Sequence, residues 1–171
     1  MNIGISMSAT PGLTDFAAVA QKIEELGFDS VWLPEHPVIP VNHNTKYAGS
    51  PDGSIPIPMT LGVNPLIALA TAASATTNLG LGTAVNLITE HNPIDLAKQI
   101  STLDFYSGGR FMFGIGTGWF RGESEIMGAD FDHRWSQARE YVLTMKELWT
   151  EEEAEYHGEY VDFPPVIMNP K

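Results

Sequence analysis

The sequence predicts an α/β fold built from about four consecutive strand–helix modules. Three observations predict it. Short apolar runs alternate with stretches of 3.6-residue periodicity, the signature of βαβ units on a parallel sheet. The dipeptide Asn-Pro opens a helix after a strand twice, at Asn64-Pro65 and Asn92-Pro93, so a βα module repeats within the chain. The 171 residues are 43% apolar and 18% charged, which suits one domain, 1–171, with a sizeable core.

Each element follows in order. Residues 2–7 (NIGISM) are short, apolar and glycine-bearing, as a buried strand is. Thr14 is placed to cap a helix whose Phe16, Val19, Ala20, Ile23 and Leu26 share one face, and Gly27 closes it. Residues 29–33 (DSVWL) form the second strand. From 37 to 63 prolines and glycines interrupt every period; a loop insertion this long is more often a lid or binding loop than a spacer. Lys46 and Tyr47 within it are candidates to gate a substrate. Asn64 then caps a helix with Pro65 in its first turn, and residues 79–85 (LGLGTAV) make the third strand. Asn92 and Pro93 open a helix that runs to about Tyr106, where Ser107-Gly108-Gly109 stops it, and residues 110–116 make the fourth strand. A last helix, from about 132 to 150, sets Trp135, Ala138, Val142, Met145 and Trp149 along one face, where both tryptophans are expected to pack as core. Glu151-Glu152-Glu153 at its end opposes the helix dipole and is expected in solvent. The tail alternates apolar and polar over 160–163, then turns proline-rich.

Composition removes several functions. A net charge of −12 repels phosphate backbones and anionic bilayers, so neither nucleic acid nor membrane is an expected partner. The absence of cysteine excludes disulfides and thiolate metal sites. No segment reaches the roughly 18 apolar residues of a membrane span, and the N-terminus lacks a signal-peptide pattern. A cytoplasmic protein acting on a small molecule is the expectation. Glu90-His91 echoes Glu35-His36, each after a strand, but zinc needs three or four ligands and the sequence offers no tight ligand spacing, so no metal is expected. His43 and His157 lie in irregular segments and are expected in solvent.

Two architectures fit four βα modules: an open doubly wound sheet, or a partial TIM (β/α)8 barrel. The stretch FMFGIGTGW, residues 111–119, separates them. A dinucleotide fold places G-x-G-x-x-G after its first strand with a helix immediately behind. Here Gly114, Gly116 and Gly118 follow the fourth strand, bulky Trp119 comes next, and the next well-formed helix is expected to start more than about ten residues on. In a barrel the strand C-termini line the mouth. Glu35-His36, the segment from Thr83 to Asn86, and the segment from Gly116 to Trp119 would then share that mouth. Small residues, an aromatic and few charges suit a flat, mostly apolar ring better than a tetrahedral anion.

Taken in order, GFDSVWLPEH, LGLGTAVNLITEHNP, QISTLDFYSGGRFMFGIGTGW and YHGEYVDF resemble the bacterial luciferase-like monooxygenase superfamily, most closely its F420-dependent oxidoreductases. The resemblance implies a TIM barrel that binds FMN or F420 at its C-terminal mouth. It implies that His36, with Glu35 before it, is catalytic near the reactive edge of the ring. It implies that Thr83, Ala84 and Val85 hold a non-prolyl cis peptide against the ring face, and that Gly116, Thr117, Gly118 and Trp119 form the rim beneath it. Some dehydrogenases of the family carry a glutamate proton donor where Trp119 stands; its absence weighs against sugar-phosphate chemistry, and the role is not transferred to nearby Glu123. A full barrel takes about 250 residues. The resemblance therefore implies an N-terminal half-barrel, with a homo-oligomer mate or a completing half-barrel as partner. The implied activity is an FMN- or F420-dependent oxidoreductase of monooxygenase type acting on a small organic substrate; the alternative is a non-catalytic half-barrel or association module lacking the cofactor tail site.

Overall fold

The computed structural model describes residues 1–12 and 15–171. In chain order the elements are β1 (Gly4–Ser6), α1 (Phe16–Glu25), β2 (Ser30–Leu33), α2 (Ile57–Thr60), α3 (Pro65–Ala75), β3 (Gly80–Thr83), β4 (Asn86–Leu87), a 3-10 turn (Ile88–Glu90), α4 (Pro93–Ser107), β5 (Phe111–Met112), β6 (Ile115–Gly116), α5 (Arg121–Ile126), α6 (Arg134–Thr150), β7 (Ala154–His157) and β8 (Asp162–Val166). The parallel sheet runs β1-β2-β3-β5, with Ile5, Val31, Leu81 and Phe111 in register. Beyond it β4 pairs in parallel with β6, Asn86 opposite Ile115. Sheet order equals chain order. A doubly wound sheet needs a reversal of strand order, and this sheet has none. The chain thus has an α/β fold of the type found in TIM-barrel proteins, and among the described residues neither edge of the four-stranded sheet has a further strand.

Helices lie outside in the same order: α1 packs on α3, α3 on α4, and α4 on α6. Val31, Leu33 and Leu81, all 0% exposed, join the helices in one core. The other face of the sheet is thinly furnished. There Trp32 lies across Gly82, so close that an added Cβ would sit 2.3 Å from the indole, and its Nε1 donates to Ser30 Oγ at 2.9 Å.

Local chemistry explains the helix limits. Asn64 Oδ1 accepts from the Ile67 amide, and Asn92 Oδ1 from those of Ile94 and Asp95, so both Asn-Pro signals are true N-caps. Gly108 ends α4 at φ 70°. Asp15 caps α1, accepting from Ala18; Thr14, the expected cap, lies outside the described residues. Arg110 of the SGGR motif spends its guanidinium on five contacts. It donates to the carbonyls of Ser107, Leu79, Ala73 and Thr76 and to Thr76 Oγ1, at 2.7–3.2 Å. It thereby binds the end of α3 to the end of α4.

Four expectations need correction. The third and fourth strands each break in two, β3 from β4 and β5 from β6, where the chain bends at the mouth. The 37–63 loop contains the helical turn α2. A short helix, α5, starts three residues after Gly118, so the glycines do have a helix behind them, and strand order rather than helix placement is what argues against the doubly wound sheet. Trp135 is 69% exposed and stands beside Val142 and Leu143 on a face of α6 next to Ile115, whereas Trp149 is half-buried with Nε1 donating to the Ala97 carbonyl at 3.0 Å. The tail folds back as the antiparallel hairpin β7–β8. Among the described residues no helix is long and apolar enough to cross a membrane.

Candidate functional site

The C-terminal ends of the strands converge, and what joins them is a buried set of carboxylates and imidazoles. Glu35, just past β2, is 5% exposed. Its Oε2 accepts from Asn86 Nδ2 at 2.7 Å, from the Leu87 amide at 2.8 Å and from His91 Nε2 at 3.0 Å. This one oxygen therefore fixes β4 and the turn behind it to the end of β2. His36 points elsewhere: its Nδ1 meets Glu123 Oε2 at 2.7 Å, from α5 and 87 residues away. Glu123 is 1% exposed. The acid partner of His36 is thus Glu123, and Glu35 partners His91.

A third carboxyl, Glu90, is 2% exposed and accepts from Ser124 Oγ at 2.7 Å. Burial raises its pKa to about 7; the Ser124 hydrogen bond opposes this, and the Glu123 and Glu35 charges add to it. His91 is pushed above its ordinary value. Burial works against its charged form, but the Glu35 hydrogen bond and charge, with the Glu90 and Asp95 charges, outweigh it. Buried acceptors remain over: Asn86 Oδ1, Glu90 Oε2 and Glu123 Oε1 have no partner among the described residues.

The rim residues take their places around this set. Ala84 and Val85 are exposed, and the peptide between them is cis. Thr83 is fully buried, its Oγ1 donating to the Gly114 carbonyl at 2.8 Å. Gly114 admits the Thr83 carbonyl, which would lie 2.1 Å from an added Cβ, and at Gly116 the Val85 side chain fills the corresponding space. Gly118, at φ 75°, adopts a backbone that favours glycine, and an added Cβ would meet Ser124 Oγ at 3.0 Å and Glu90 Oε1 at 3.1 Å. Thr117 is buried. Trp119, 37% exposed, meets the His36 ring edge-on at 6.0 Å between centroids, and Tyr47 from the long loop packs on it at 5.5 Å. Lys46 remains exposed, its stem against Gly53, and His43 lies edge-on to Phe120 at 5.0 Å. His157 is exposed and bonds Asp162 at 2.6 Å.

Sequence reasoning thus named positions that come together, and it missed three buried partners: Glu123, Glu90 and the Glu35 side of His91. The one available signal was the placement of Glu123 and Ser124 shortly after the glycine run, where a short helix would turn them back toward the strand ends.

A fold of parallel βα units with polar side chains gathered at the strand C-termini defines a class, proteins of the TIM-barrel type. Within it the chain belongs to the luciferase-like monooxygenase family, whose model matches residues 1–171. A curated relative, an uncharacterized protein of Mycobacterium tuberculosis (strain ATCC 25618 / H37Rv), is 40% identical over 156 residues, covering 91% of this chain and 55% of that protein. The F420-dependent glucose-6-phosphate dehydrogenase of Kineococcus radiotolerans is 35% identical over 168 residues, covering 94% of this chain and 44% of the relative. Among solved structures, the monooxygenase RslO1 from Streptomyces bottropensis superposes with a TM-score of 0.81 at 25% identity, covering 100% of this chain and 50% of that one. The oxygenating constituent of 3,6-diketocamphane monooxygenase from Pseudomonas putida, in complex with FMN, gives 0.71 at 23% identity over 95% and 43%. The chain spans about half the length of the curated relatives it matches.

Proposed function

We propose that this chain is the N-terminal, ring-binding half of a cytoplasmic luciferase-like oxidoreductase that uses reduced FMN or F420 on a small organic substrate. The observation that carries the reading is His36 at the strand C-termini, held through Nδ1 by Glu123 and flanked by Trp119. The residues present fit a planar heterocycle. Exposed Ala84 and Val85 offer a small apolar surface, and Trp119 offers an aromatic one. The bound cofactor would supply the reducing equivalents. This chain's own residues do the rest. Glu123 orients His36, whose free Nε2 accepts or returns a proton at the reacting centre; Trp119 and Tyr47 shield it from water; Thr83 and Gly116 brace the 84–85 rim.

A sugar phosphate is a poor candidate substrate. Neither cavity at His36 is lined by a lysine or arginine, and Trp119 stands where some relatives place a proton donor. The open edge also supports a partner. Ile115 on the β6 edge is exposed beside Trp135 and Leu143 of α6, an apolar border suited to further βα units from a second copy or a completing half-barrel. If no cofactor binds, that border favours the association module instead. The test is titration with FMN and with F420 by fluorescence. Micromolar binding of either, weakened about ten-fold by His36→Ala (about 1.4 kcal/mol), is expected; no binding of either at about 100 μM refutes the reading.

A further inference from the structure

His36 and His91 are held in matching ways through opposite nitrogens. His36 gives Nδ1 to Glu123 and has no partner at Nε2 among the described residues; His91 gives Nε2 to Glu35 and has none at Nδ1. A carboxylate oxygen only accepts, so each ring nitrogen facing one carries the hydrogen, and the two tautomers are opposite. Both rings line one cavity of about 260 Å³, together with Glu35 and the Gly62-Val63 end of the long loop. A polar cavity of that size holds water. The two imidazoles differ in access: the His36 side chain is 9% exposed, behind Trp119, and that of His91 is 18% exposed.

We propose that His91 is the proton-supplying residue of the site, passing a proton from its Nδ1 through water in this cavity to Nε2 of His36. The proposal rests on His36 working at the reacting centre, as argued above. In the step, the Nδ1–H bond of imidazolium His91 breaks and water takes that proton. The water gives one of its own to His36, where an Nε2–H bond forms. One positive charge moves from the ring facing Glu35 to the ring facing Glu123, and His91 recovers a proton from solvent at its exposed edge. Each ring already has a buried carboxylate at its other nitrogen, so the charge leaves one compensated position for another, and neither end holds it bare. Glu35, Glu90 and Asp95 face His91 and favour its charged ring, and Glu123 and Glu90 face His36. The shift of His91 above its ordinary value agrees with its standing ready as the donor.

Ring 15N NMR of the unaltered protein near neutral pH tests the geometry without any turnover. Hydrogen on Nδ1 of His36 and on Nε2 of His91 is expected; the reverse tautomer at either ring overturns the proposal. His91→Gln tests the transfer. Solvent exchange at His36 Nε2, read by saturation transfer on the charged ring, is expected to slow at least ten-fold, with added imidazole restoring it. An unchanged rate overturns the proposal, and so does a slowing that imidazole leaves in place, which a merely structural role would produce. In the cofactor-loaded protein the same variant is expected to lower kcat about ten-fold with cofactor Kd unchanged. Loss of cofactor binding in the unaltered protein instead defeats the oxidoreductase reading and leaves the ring tautomers and exchange to stand or fall by themselves.

Discussion

Replacing Glu90 by glutamine should make the protein less sensitive to alkali. Glu90 is 2% exposed and burial pushes its carboxyl up to about 7 in the fold, against an ordinary value of 4.5. A folded value above the unfolded one means that the folded state binds the proton more tightly. The stability this contributes is full below about pH 4.5 and is lost as pH rises through about 7. The rise from 4.5 to about 7 corresponds to about 3.4 kcal/mol in all, of which about 2.5 kcal/mol disappears between about pH 5 and pH 8.5. Glutamine keeps the shape and the acceptor for Ser124, and it cannot ionise. Urea unfolding of both proteins at the two pH values reads the difference directly. With a urea slope of about 2 kcal/mol per molar, the midpoint gap between wild type and Glu90→Gln should shift by about 1.2 M in favour of the variant at the higher pH. His91 also loses a folded-state proton as pH rises, but it is present in both proteins and largely cancels. A gap constant to within about 0.5 kcal/mol would show that Glu90 is not held neutral, and the electrostatic account of the site would fail with it.

Other expectations follow from single side chains. Arg110→Lys retains charge but at most three donors, so at least two of the five contacts are lost; with partial exposure the cost is about 3 kcal/mol, read as a lower urea midpoint, and under 0.5 kcal/mol would refute the staple between α3 and α4. Gly118→Ala places a Cβ at φ 75° against the Ser124–Glu90 bond and should cost about 2–3 kcal/mol with no cofactor present. Thermal unfolding checks it: a near-neutral effect would mean that the motif's last glycine serves a ligand and not its own chain.

What the sequence could disclose was whatever a few neighbouring residues decide. Asn64 and Asn92 cap helices because their side chains reach amides two or three residues on, and Gly108 ends α4 because it alone accepts that φ; such signals are local and were readable. The breaks between β3 and β4 and between β5 and β6 come from how each strand meets its neighbour, which no periodicity records. α5, at six residues, is too short to set up a face. Trp135 misled for a related reason: spacing gives a helix its apolar stripe, and only tertiary packing determines whether every member is covered. The site itself divides the same way. His36 and the rim were recognisable from motifs, whereas Glu123 reaches His36 across 87 residues and Glu35 reaches His91 across 56. Contacts of that reach are products of the folded arrangement, and beyond the placement of Glu123 after the glycine run nothing in the linear reading points to them.

The agreement between strand order and chain order has a consequence for how the molecule is made. Every βα unit docks on the one synthesised just before it, strand beside strand and helix beside helix, so the sheet can grow in order while the site bonds of Glu35 and His36 close later. Assembly can advance with the ribosome, each finished layer serving as the template for the next.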